Sequence, residues 1–278
     1  MGSIPTTSTN RKKPPNGGFF LLGPIPVPTT AVAIGRAGSC ADILWNTHSH
    51  HSMPMPTRIF LVRHGATTLT AEDRFAGSSD VSLSEEGRRQ VESLAHRLEN
   101  EELHAVYCSP LDRTAETAKI LAAAHKLTPV HEPGLREIDY GHWEGLRRSE
   151  IETQFADEYE AWQEDPFTIG PREGESGVNV LNRALPVMRR IVEENRHRNV
   201  LVVAHKGVNR ILISSLLGFD VRGYRDRLDQ SPAGLSILDF MGDVHARLRL
   251  LNDVSHYEGV PARILTERLS AWWGSRPT

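Results

Sequence analysis

The run Asn-Val-Leu-Val-Val-Ala-His at 199–205 carries five consecutive apolar residues and leads straight into a segment of helical period. Over 207–217, Val208, Ile211, Leu212 and Ser215 recur at the spacing of one helical face. A short strand followed at once by a helix is the repeating unit of α/β folds, in which successive strands lie parallel and helices cover the sheet.

The same alternation recurs along the chain. RIFLV (58–62) reads as a strand that ends before Gly65, and a Gly/Ser/Asp-rich loop follows. Ser84 then heads a helix in which Val91, Leu94, Ala95 and Leu98 share a face. AVYCS (105–109) reads as a second strand and 111–124 as a second helix. After a looser region, Leu181, Ala184, Leu185, Met188 and Ile191 mark a further helix, with a kink expected at Pro186. LSILDF and ARLRLL read as edge strands that close the core. The fold class expected is α/β: a three-layer α/β/α sandwich with a mostly parallel central sheet, occupying residues 57–278 without an internal linker.

Residues 1–56 differ in kind. They hold Arg11, Lys12, Lys13 and Arg36 against Asp42 alone, a balance of +3 within a chain whose net charge is −3. Rich in Pro, Ser, Thr and Gly, the segment cannot bury a core and reads as a disordered extension. A targeting segment and an upstream start ahead of Met55 both fit it. The location expected is therefore cytoplasmic, or organellar if this stretch acts as a transit peptide.

Three strands aim polar residues at one edge of the sheet. One ends in Arg63-His64-Gly65, the second runs into Ser109 and on to Arg113, and the third ends in His205-Lys206-Gly207. Ligands of open α/β sheets sit beyond the carboxyl ends of the strands. Two arginines and two histidines converging there repel one another unless an anion lies among them. Helix N-termini that follow such strands offer N–H donors of the same polarity, so the pocket suits phosphate or carboxylate.

In order and spacing, LVRHGATTLT, SPLDRTAET, LREIDYGHWEG, EGES and VVAHKGVNR resemble the histidine phosphatase superfamily in its phosphoglycerate-mutase-like branch. The resemblance covers residues 58 to about 240. It implies His64 as the nucleophile that takes the phosphoryl group, Arg63, Arg113 and His205 as holders of phosphate oxygens, and Glu137 as the acid that protonates the leaving alkoxide. The physical case agrees with these roles. Phosphate monoesters resist hydrolysis strongly, and a covalent intermediate divides the barrier into two steps. Guanidinium groups match phosphate oxygens in bidentate fashion and stay charged. His64 must attack through a neutral nitrogen, which requires its other nitrogen to be held, commonly by a backbone carbonyl. Glu137 must start the cycle protonated, a state that a neighbouring phosphate dianion favours.

Departures from the family pattern bear on which reaction is run. Ala66 stands where an acid is common, and Thr70 stands where an asparagine is common while keeping a hydroxyl for one phosphate contact. Ala76 replaces a substrate-touching threonine of the mutases, and Ile138 replaces the arginine that mutases use for the substrate carboxylate. A mutase must retain its intermediate for a second transfer, which takes extra cationic anchors, so these losses favour a phosphatase. Lys206, where a glycine is usual, either clamps a second acidic group of the substrate or points outward.

The reading is a metal-independent phosphatase acting on a small phosphorylated metabolite, with no cofactor and no metal. A phosphoglycerate mutase and a phosphate-binding scaffold stand as alternatives, and a homodimer remains open. A pI near 6.5 argues against a nucleic-acid partner, and no apolar run is long enough for a membrane span. Cys40 and Cys108 are too few for a thiolate zinc site, and Walker A, GxGxxG, HExxH and CxxC spacings are absent.

Overall fold

Because successive strand residues face opposite sides of a sheet, a strand that is apolar throughout must be covered on both faces. The computed structural model, which describes residues 55–71, 74–242 and 246–257, shows that arrangement, with the side chains of residues 70 and 71 outside the description. The extension expected at 1–56 also lies outside the described residues, apart from Met55 and Pro56.

In chain order the elements begin with β1 (Thr57–Arg63), α1 (Thr68–Ala71), α2 (Glu85–Leu98), β2 (Ala105–Cys108) and α3 (Asp112–Ala122). β3 (Val130–His131), α4 (Arg148–Gln154), α5 (Ala156–Glu164) and α6 (Gly177–Glu194) follow. The order closes with β4 (Asn199–Ala204), α7 (Lys206–Leu216), α8 (Tyr224–Arg227), β5 (Leu235–Phe240) and β6 (Ala246–Asp253).

One six-stranded sheet runs β3-β2-β4-β1-β5-β6. The first four strands are mutually parallel, while β5 runs antiparallel to β1 and β6 runs antiparallel to β5. Ile59, Leu61, Val200 and Val202 face α6 and α7, where they pack with Ala184, Met188, Ile191, Val208 and Leu212. Phe60, Val62, Leu201 and Val203 face the other way, against Val91, Leu94 and Leu98 of α2 and Ala118 and Leu121 of α3. The three layers are those the alternation predicts. Each fully buried Leu, Ile or Met in them contributes roughly 1.5–3 kcal/mol.

Three expectations are corrected. LSILDF is not an edge strand, since β5 pairs with β1 on one side and β6 on the other. The second edge is β3, a pair of exposed residues too short to show any periodicity. The looser region contains α4 and α5, which build a third core from Trp143, Ile151, Tyr159 and Trp162, with Phe75 and Tyr140 packed against it. Pro186 lies inside α6 on its solvent side, where the missing N–H costs least. Among the described residues, no helix is long and apolar enough to cross a membrane.

Candidate active site

Parallel pairing sets the site. β1 and β4 run in register with Arg63 beside Ala204, and β2 lies against β4 with Cys108 beside Val203. The next residue of each strand therefore emerges at the same level. There the His64 N–H donates to the Ala204 carbonyl at 3.1 Å, and the Ser109 N–H donates to Val203 at 3.1 Å. His64, Ser109 and His205 thus meet at the carboxyl edge, as open α/β sheets dictate.

His64 is buried, and its Nδ1 lies 2.7 Å from the carbonyl oxygen of Gly65. A carbonyl only accepts, so Nδ1 carries the proton and Nε2 keeps its lone pair. Burial, reinforced by the Arg63 and Arg113 charges, pushes the His64 pKa well below its usual value. His205 is wholly buried, with Nε2 2.8 Å from the Ser109 hydroxyl and Nδ1 unpartnered. Burial and the neighbouring Arg113, His64 and Arg63 push its pKa well down too. Both rings are neutral in the free protein.

Arg63 donates through Nη1 to the Gln230 carbonyl at 2.6 Å, while its buried Nε has no partner. Burial lowers its pKa to about 10, against the opposing pull of Glu137. Arg113, from the first turn of α3, is buried and donates to the carbonyls of Ser79 at 2.8 Å and Gly77 at 2.7 Å. That loop is held in turn by Glu144. Its carboxylate accepts N–H bonds from Gly77, Ser78 and Ser79 at 2.9–3.2 Å, one from Tyr140 at 3.0 Å, and the Ser79 hydroxyl.

Glu137 is buried and takes N–H bonds from Gly207 at 3.0 Å, Val208 at 3.2 Å and Ile138 at 3.0 Å. Its carboxylate therefore occupies the N-terminus of α7, where helix amides are otherwise orphaned and the dipole favours negative charge. At α3, the Asp112 N–H donates to Asp80 at 2.7 Å. These helix-end donors, expected to face the phosphate, are satisfied by the protein's own carboxylates. The backbone carrying Glu137 is fixed by Arg183, which donates to the Glu137 carbonyl at 2.9 Å and pairs with Glu175.

Arg63, His64, Arg113, Glu137 and His205 thus gather at one edge, and Lys206 opens α7 beside them, half-buried. The Thr70 side chain falls outside the described residues. The list read from the sequence lacks Ser109, Glu144, Arg183, Arg210 and Gln230. Ser109 and Arg210 carried local signals, one at the end of β2 and the other four residues beyond Lys206 on the same helix.

A buried imidazole with a free Nε2, flanked by two buried guanidiniums and the carboxyl group of Glu137, fits an enzyme that moves phosphoryl groups. Residues 59–254 match the family described as the histidine phosphatase superfamily (branch 1), and the chain belongs to that family. Phosphoserine phosphatase 1 of Hydrogenobacter thermophilus is 33% identical over 164 residues, covering 59% of this chain and 78% of that protein. The 2-carboxy-D-arabinitol-1-phosphatase of Triticum aestivum is 33% identical over 236 residues, covering 80% of this chain but only 47% of that protein. Among solved structures, Bacillus stearothermophilus YhfR aligns with a TM-score of 0.69 at 30% identity, covering 72% of this chain and 98% of its own.

Proposed function

We propose that this chain, a phosphoric monoester hydrolase of the histidine phosphatase superfamily, hydrolyses a small phosphorylated metabolite through a phosphohistidine on His64. Nε2 attacks phosphorus, the ester P–O bond breaks, and Glu137 delivers its proton to the departing alkoxide. Water then gives its proton to Glu137 and attacks phosphorus, the N–P bond breaks, and orthophosphate leaves. Arg63 and Arg113 stabilise the charge on the transferring oxygens, and neutral His205 adds a further hydrogen-bonding group.

The bond from His64 Nδ1 to the Gly65 carbonyl carries this reading, because it leaves Nε2 unprotonated inside a cationic pocket. Buried Ile138 stands where a mutase would place an arginine, which favours transfer to water over transfer to a second substrate hydroxyl. Relatives named for phosphoserine and 2-carboxy-D-arabinitol 1-phosphate support a small metabolite as substrate.

The test is orthophosphate release from a panel of phosphorylated metabolites with EDTA present, comparing wild type with His64→Ala. Release that survives EDTA and vanishes in the variant supports the reading. Equal release from both proteins refutes the assignment of His64.

A further inference from the structure

Beyond Arg63 and Arg113 the site holds two more cations, which phosphoryl transfer itself does not use. Lys206 and Arg210 are i and i+4 on α7, so they share one face of that helix. Lys206 is half-buried and has no hydrogen bond or ion pair among the described residues. Arg210 is 6% exposed. Its ion-pair partner, Asp229, stands 3.7 Å from Nη2, beyond hydrogen-bond length, and that carboxylate already accepts the Gln230 N–H at 2.7 Å.

Several buried polar atoms around these two cations have no partner: Arg210 Nε, Gln230 Nε2 and, on the side of the phosphate pocket, Arg63 Nε. Buried polar groups are normally paired, and an unpaired one costs about 1–3 kcal/mol, so a group of unfilled donors suggests an absent acceptor. Gln230 joins the two parts of the site, since its carbonyl accepts from Arg63 while its side-chain oxygen accepts from Asn209 on α7 at 3.3 Å.

The charge count points the same way. Arg63 and Arg113 already suffice for a phosphate dianion. Lys206 and Arg210 face Asp229 outside the phosphate pocket, and burial together with Arg210 and Arg63 lowers the Lys206 pKa to about 7, so a bound anion would favour its charged form. Gly207, next to Lys206, donates its N–H to the Glu137 carboxylate at 3.0 Å, so Lys206 stands beside the group that protonates the leaving alkoxide in the reading above.

We infer that Lys206 and Arg210, with the Gln230 amide, form a subsite for a second anionic group on the substrate's leaving portion, so that the preferred substrates are phosphomonoesters bearing a carboxylate or a second acidic group. This rests on the phosphatase reading above, and its test separates the two. 3-Phosphoglycerate and glycerol 3-phosphate differ in one carboxylate. Turnover of each is measured by orthophosphate release, and binding of each is measured by calorimetry on His64→Ala, which cannot be phosphorylated.

The expected result is at least a tenfold preference for 3-phosphoglycerate in kcat/KM and in affinity. That ratio falls towards one in Lys206→Gln and in Arg210→Gln and is retained in Lys206→Arg. Lys206, half-exposed at a helix start, tolerates substitution even if the buried Arg210 does not. Turnover and binding of both esters without preference, or a preference that survives both glutamine variants, overturns the subsite alone. Preferential binding of 3-phosphoglycerate with no turnover of either ester upholds the subsite and counts against the phosphatase reading.

Discussion

The imidazoles of His64 and His205 meet edge to face, with ring centroids 5.2 Å apart and planes inclined at 62°. Two protonated rings at this separation, between Arg63 and Arg113, would place four positive charges in one dry pocket. Burial and those arginines accordingly hold both histidines neutral well below the usual range.

A pH dependence of stability follows. An unfolded histidine takes up a proton near pH 6.5, whereas the native rings do so only at much lower pH. Below about pH 6.5 the unfolded state therefore holds more protons, and stability falls as pH falls. Each ring costs up to about 2 kcal/mol at pH 5. Thermal melts should show a smaller drop in Tm between about pH 7 and pH 5 in His205→Gln than in wild type. An equal drop in the two proteins would mean that His205 titrates normally.

Glu137→Gln removes the proposed proton donor while keeping its shape. Turnover of esters with alkoxide leaving groups should fall roughly 10²–10⁴-fold. p-Nitrophenyl phosphate, whose leaving group needs no proton, should lose far less in its first transfer. Equal losses on both substrates in single-turnover experiments would argue that Glu137 only supports the fold.

Glu144 acts at one remove, because it holds the loop 77–79 whose carbonyls aim Arg113. A displacement of about 1 Å in a positioning group costs on the order of 100-fold in rate. Glu144→Ala should raise the inhibition constant of orthophosphate and lower kcat/KM, with Glu144→Asp recovering part of both. A variant that loses Tm but binds orthophosphate like wild type would confine Glu144 to a structural role.

Gly207 lies so close to Glu137 that a Cβ there would sit 2.7 Å from its Oε1 and 2.7 Å from Ile138 Cδ1. Gly207→Ala should displace the carboxylate, lower kcat about tenfold or more, and cost roughly 1–3 kcal/mol from overpacking. Unchanged kcat and Tm would show that the α7 start shifts freely.

What could be read from the residues was whatever had a local period or a strand-end position. The uninterrupted apolar runs of β1 and β4 and the helical stripe of α7 needed no partner to be visible, and the register between those strands then fixes where His64 and His205 stand. β3 has two residues and no period, and α4 and α5 bring Ile151, Tyr159 and Trp162 to a core shared with Phe75 and Tyr140 from elsewhere in the chain. Of the residues around the pocket, Arg183 and Glu144 gave no local sign. Arg183 grips carbonyls 46–49 residues away, and Glu144 grips amides 65–67 residues away, so their roles exist only after folding. The role of Glu137 as an acid comes from the resemblance, but its hydrogen-bond donors, the backbone amides of α7 and of Ile138, exist only after folding.

The central claim is a covalent phosphoryl group on His64, and trapping tests it most directly. The enzyme is mixed with a turned-over phosphomonoester, quenched in alkali to preserve phosphohistidine, digested and mapped by mass spectrometry. The account predicts phosphate on His64, absent from His64→Ala, which forms and decays fast enough to support kcat. Steady turnover with no phosphoenzyme, or with the label on another residue, would contradict it.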